Sequence, residues 1–142
     1  MSMANPGSVG CSRGMAVVRA AEAMIQALGG EEVTVLFPVV ALPDDPAAQL
    51  GLADPGVQEV AISPVVVRNL RAETKGTRAQ YEFLIPAPVV SRKAENRQAE
   101  SVTDFFNVAI GIAYAGHLLR IEAIDTEFFA GTAYLYRISA GE

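Results

Sequence analysis

The chain has 142 residues, half of them apolar, with a formal net charge of −5 and a single cysteine. That length fits one domain, and the apolar content allows a full core without disulfides. The acidic balance argues against general nucleic-acid binding, which needs a basic footprint. Lone Cys11 excludes an internal disulfide and a thiolate metal site.

Residues Met1 to Gly14 are small, polar and glycine-rich and are read as a flexible leader, leaving residues 15–142 as one domain. An amphipathic helix is predicted next. Val17, Val18, Ala21, Met24, Ile25 and Leu28 recur at helical spacing, and Gly29-Gly30 ends the pattern. Arg19 and Glu22 interrupt what would otherwise resemble a signal-peptide core, and no stretch approaches the ~20 apolar residues of a membrane span. Secretion and membrane insertion are therefore not expected.

Glu32–Val40 is rich in β-branched residues and is predicted as a strand, with Pro38 marking an edge or bulge near its end. Leu42 to Gly56 holds Pro, Asp and Gly and reads as a long irregular loop. Val57–Leu70 gives a second strand region, bent or interrupted at Pro64, and Gln80–Ile85 a third. Pro86 and Pro88 end or kink that strand, Val89-Val90 continue it on an edge, and Arg92 to Gln98 is a charged loop or a first helical turn. Ser101, three residues before Asp104, is placed to cap a helix whose apolar stripe is Val102, Phe105, Phe106, Ala109 and Ile110, with Gly111 in its end region.

The last third reads as a hairpin. Ala115-Gly116 forms a turn, His117 to Asp125 alternates as a strand, and Thr132–Ser139 returns after Gly131. The sum is an α+β fold, an antiparallel sheet or small β-barrel of about five strands with two amphipathic helices alongside.

The search for chemistry assigns no catalytic residue, no metal ligand and no cofactor. His117 is the sole histidine, so a His-based metal site has no second ligand of its kind, and Cys11 stands in the leader without an ordered base. No nucleophile elbow, dinucleotide fingerprint or Walker loop occurs. Asp44-Asp45 and Glu122, Asp125 and Glu127 offer carboxylates for acid–base work or a hard cation, but their ordinary role is solubility and turn formation.

Two features point to protein contacts. Charge is uneven: residues 68–97 hold seven basic and three acidic residues inside an acidic chain. Arg68, Arg71, Lys75 and Arg78 are either a solvated loop or an electrostatic contact with an acidic neighbour, including another copy of the chain. Phe128 and Phe129 sit at the tip of the predicted hairpin, where they either tuck back onto the domain or enter a neighbour's pocket.

The segment YAGHLLRIEAIDTEFFAGTAYLYRISA carries Gly116, then Leu119-Arg120-Ile121 and Ile124, then Gly131, Tyr134, Tyr136 and Arg137. In that pattern it resembles the closing hairpin of the small head-closure and head–tail connector proteins of tailed phages and prophages. The opening RAAEAMIQALGGEEVTVLFP is similar to the start of small phage structural proteins. The resemblance covers about a third of the chain and leaves open a stopper, a portal adaptor or a tail terminator. It implies a non-catalytic virion subunit, assembled in the host cytoplasm as a ring of copies. Its partners would be portal, adaptor or tail proteins, with DNA passing through the ring without sequence-specific contact. The alternatives are a non-viral protein-binding adaptor and a ligand-binding protein or enzyme using an unrecognised carboxylate site.

Overall fold

The computed structural model describes residues 6–39, 56–71 and 78–142. The Pro/Asp-rich loop, apart from Gly56, and Lys75 lie outside the described residues, as do the first five residues of the leader. The elements follow in chain order as α1 (Pro6–Ala27), β1 (Glu31–Pro38), β2 (Val57–Arg71), β3 (Gln80–Pro86), α2 (Ala87–Asn96), α3 (Val102–Asn107), β4 (Gly111–Tyr114), β5 (His117–Phe129) and β6 (Thr132–Gly141). The six strands form a closed barrel in the order β1-β2-β3-β6-β5-β4. Every neighbouring pair is antiparallel, including the β1–β4 pair that closes it. Closure leaves fewer open sheet edges to invite pairing with other chains.

Strand alternation builds the core. In β1 the inward positions are Val33, Val35 and Phe37, all buried, and the intervening residues are partly exposed. Ile62 and Val65 of β2, Phe83 and Ile85 of β3, Ile112 of β4, Leu119 of β5 and Ile138 of β6 meet them. Phe105 and Phe106 of α3 complete the core where β1 finishes, with Phe105 at 4.9 Å from Phe37 between ring centroids. Each such ring stabilises the fold by roughly 1.5–3 kcal/mol on burial. Arg97 lies over the other side of this cluster, its guanidinium carbon 3.9 Å from the Phe37 ring centre.

β2 is one long strand that serves two partners. It pairs with β1 up to Val65 and with β3 from Val66 onward. Pro64 falls in the irregularity of the β1–β2 ladder between Ile62 and Val65, where its missing N–H removes no regular bond.

The structure departs from the sequence expectation in four places. First, the α+β barrel read from the sequence is the fold observed, with six strands where about five are expected and three helices, two of them longer than six residues. The additional strand is β4. The predicted helix from Ser101 runs only to Asn107, after which the Ile110 N–H donates to the Leu36 carbonyl at 2.7 Å and the chain joins the sheet. A Cβ on Gly111 would lie 2.4 Å from the Leu119 carbonyl oxygen, so this glycine marks the close approach of β4 to β5 and not a helix end. Second, Ala87–Asn96 is a helix, where the composition of Val89-Val90 predicts a continued edge strand. Pro88 falls in its first turn, where a missing N–H breaks no intrahelical bond, and Ala87, Val89, Val90 and Ala94 form its buried face. Third, Arg92–Asn96 closes this helix instead of starting one. Fourth, α1 begins at Pro6, inside the stretch read as a leader. Gly14 is buried, and a Cβ there would stand 2.4 Å from the Thr132 Oγ1. A glycine read as chain flexibility is thus the point where the helix backbone rests on β6.

Candidate protein-contact surface

The outer face of β2, β3, β6 and β5 carries a row of alternating charge. Arg68 and Glu82 are opposite each other in the β2–β3 register and point away from the Phe83–Ile138 core pair. The Arg68 Nη1 donates to the Glu82 Oε1 at 3.0 Å. Glu82 is the buried charged residue of the described core, at 8 % exposure, and the Arg137 Nε approaches the same oxygen at 3.9 Å. That Nε is buried without a hydrogen-bond partner, while the Arg137 Nη2 lies 3.3 Å from the Glu127 Oε1. Two arginines around one poorly hydrated carboxylate supply the charge it needs to stay inside.

This row decides the reading of the basic segment. Arg68 is committed to Glu82 and is not a free positive charge. Arg71 ends β2. Arg78 is exposed before β3, with no ion pair among the described residues. The remaining cations lie on another element. The Arg92 Nη2 is 4.0 Å from Glu22 of α1, and the Arg97 Nη1 donates to the Gln58 Oε1 at 2.6 Å. Arg92 and Lys93 also line an open cleft of ≈ 300 Å³ with Ser63, Val89 and Asn96. The run of basic residues in the sequence is therefore divided between the β2–β3 region and α2.

Phe128 and Phe129 occupy the tip that the sequence assigns to them. Ala130 and Gly131 have φ of 49° and 76°, the left-handed pair that makes a two-residue hairpin turn. The β3 ladder on β6 reaches only Leu135, so the pairs Phe128–Ala133 and Phe129–Thr132 extend past the barrel with no third strand beside β6. There Phe128 is 64 % and Phe129 47 % exposed. Neither ring is absorbed into the core.

The sequence reading missed a second apolar feature. Of the apolar stripe of α1, only Val18 and Ile25 are buried. Met24 and Leu28 are 63 % and 68 % exposed and form one wall of a groove of ≈ 220 Å³ against Leu84, Tyr134 and Leu135. The only available signal was the stripe's width, because six apolar positions cover more of a helix than one contact on a barrel can bury.

The candidate carboxylates do not converge. The Glu122 Oε2 accepts from the Gln80 Nε2 at 2.9 Å, Glu127 pairs with Arg137, and Asp125 sits opposite Arg137 in the β5–β6 register. Asp44 and Asp45 lie outside the described residues. Among the described residues no group of three or more His, Cys, Asp and Glu is placed to hold a metal ion. His117 Nδ1 contacts the Glu142 carboxylate. Cys11 falls within α1.

Two tyrosines are perturbed. Burial pushes the Tyr114 hydroxyl above its ordinary value, and its hydrogen bond to the Glu31 Oε1 at 3.0 Å, the Glu31 charge and neighbouring Tyr81 add to the shift. Burial also raises Tyr136, against a smaller opposing effect of its hydrogen bond with Ser91. No helix of the described residues is long and apolar enough to cross a membrane.

The fold and surface define a small closed antiparallel barrel, α+β in class, with an aromatic hairpin tip. Comparison with known protein families, with curated proteins and with solved structures finds no match to this chain.

Proposed function

We propose that this chain is a non-catalytic structural subunit that works by binding other protein subunits, assembled as a ring at the head–tail junction of a phage or prophage-like particle. The observation that carries the protein-binding part is the pair Phe128 and Phe129, held exposed on a hairpin that extends beyond the barrel. Exposing two aromatic rings forgoes several kcal/mol of burial, and an exposed aromatic pair at a hairpin tip is a typical anchor for a partner's pocket. The junction itself rests on the resemblance of the segment Tyr114–Ala140 to the connector proteins. In that setting the partners are copies of the chain together with portal, adaptor or tail proteins, and the site of action is the virion. A net charge of −5 suits a ring through which DNA slides, since acidic walls repel phosphates and do not grip them.

The same tip also supports a second reading, a protein-binding adaptor outside any virus. Negative-stain imaging of the purified protein, alone and with a portal ring, separates the two. The junction reading expects closed rings around a central channel, free or seated on the portal. A single chain or a two-chain species that ignores the portal would exclude it and leave the adaptor.

A further inference from the structure

We infer that the cleft between α2 and β2 is a binding site for a phosphate group. The site shares no residue with the Phe128–Phe129 tip and does not rest on the subunit reading.

One face of α2 builds most of it. Val89, Arg92, Lys93 and Asn96 stand at i, i+3, i+4 and i+7, so they fall on one side of the helix. Ser63 joins them from β2, within the irregularity of the β1–β2 ladder between Ile62 and Val65. Such an irregularity re-aims the side chains it contains, and here Ser63 is exposed and lines the cleft. The cleft holds ≈ 300 Å³, at the lower end of small-molecule sites and more than a bare phosphate fills.

Its chemistry is that of an anion site. Four of the five lining side chains donate hydrogen bonds, two of the four are cations, and no carboxylate is among them. Lys93 makes no ion pair among the described residues. The Arg92 Nε donates to the Pro88 carbonyl at 3.3 Å, and Glu22 stands 4.0 Å from Nη2. With its side chain 69 % exposed, this guanidinium keeps donors for a ligand. Arg68 and Arg137, by contrast, are engaged by Glu82 and Glu127, and Arg97 by Gln58. The end of α2 does not oppose an anion with bare carbonyls. Those of Lys93, Ala94 and Glu95 already accept from the N–H groups of Arg97, Gln98 and Ala99.

Donor number and charge select phosphate over carboxylate. A carboxylate brings two oxygens and one charge. A phosphate group brings at least three free oxygens and roughly two charges at neutral pH, which suits two cations beside a hydroxyl and an amide. Val89, which belongs to the core, supplies an apolar contact for the carbon of a phosphomonoester.

The test is a titration of isotope-labelled protein at neutral pH and fixed ionic strength, followed by its amide resonances. The probes are phenyl phosphate, inorganic phosphate and acetate. Both phosphates are expected to shift the Ser63, Lys93 and Asn96 amides to saturation, and acetate to bind more weakly. Tighter binding of phenyl phosphate identifies a phosphomonoester as the ligand, whereas equal affinities identify free phosphate. Arg92→Gln and Lys93→Gln should each weaken binding about tenfold, the loss of one charge-assisted hydrogen bond. Arg120→Gln removes an exposed cation on β5 and should leave the affinity unchanged. Unshifted resonances away from the cleft check that each variant folds. The inference is overturned by the absence of saturable shifts at these amides, or by acetate binding as tightly as phosphate. It is equally overturned if the α2 variants keep the wild-type affinity, or if Arg120→Gln weakens binding as much as they do.

Discussion

Glu82 shows how a single residue organises a face of this protein. An acidic residue at 8 % exposure needs compensation, and the β2 and β6 registers bring Arg68 and Arg137 to it. The pairing depends on which strands are neighbours, and β6 lies beside β3 only after the chain has passed through two helices and two further strands. Arg137 therefore has no visible partner in the sequence, and Arg68 reads as a spare positive charge because its own partner is set by the β2–β3 register. Phe128 and Phe129 are the opposite case, because a two-residue turn with a glycine places them locally and their exposure follows. The tyrosines give a residue-scale prediction. Tyr114 and Tyr136 hold their protons more tightly in the folded protein than an unfolded tyrosine does, whose value is about 10. At pH above that value the unfolded chain binds fewer protons than the native one, so stability is lost as pH rises through the folded values. Urea midpoints between roughly pH 9 and 11 should fall for the wild type and fall less for Tyr114→Phe combined with Tyr136→Phe. Equal slopes would show that these hydroxyls do not control the alkaline limb.

At the scale of elements, local signals located those whose partners are near in the chain. The helix stop at Gly29-Gly30, the alternation of β1, the hairpin β5–β6 and the Ser101 cap, whose Oγ accepts the Asp104 N–H at 3.1 Å, were all legible. What escaped depended on distant packing. Val89 and Val90 favour strands by composition, but the core needs their side chains on a helix face beside Ala94. β4 is four residues long and gains its place from β1 and β5 on either side. Gly111 is the residue on which that short strand depends. Replacing it with alanine puts a methyl group 2.4 Å from the Leu119 backbone carbonyl, and backbone cannot yield as a side-chain end can. Gly111→Ala should cost about 1–3 kcal/mol in chemical denaturation, the range for overpacking a tight site. Amide exchange should accelerate first across the β4–β5 pair. Unchanged stability would mean that the two strands separate freely, and that β4 is not what closes the barrel.

For the whole molecule, closure and stickiness are separated in space. Strand pairing from β1 round to β4 closes the barrel, with the β4 ladder on β5 ending at Leu119 and β5 from Arg120 onward pairing with β6. Apolar surface remains at the hairpin tip and along Met24 and Leu28 of α1. The tip was visible in the sequence as two phenylalanines beside a turn. The groove was not, because helical periodicity gives the direction of an apolar stripe but not the width of the surface that meets it.

The central claim is that the tip is a protein-contact surface, and sedimentation of the wild type beside Phe128→Ser/Phe129→Ser tests it most directly. Since neither ring belongs to the core, the variant should keep the wild-type melting temperature. The wild type should sediment as a multi-chain species and the variant as a single chain. Identical masses for the two proteins would contradict the claim and return both rings to ordinary exposed surface.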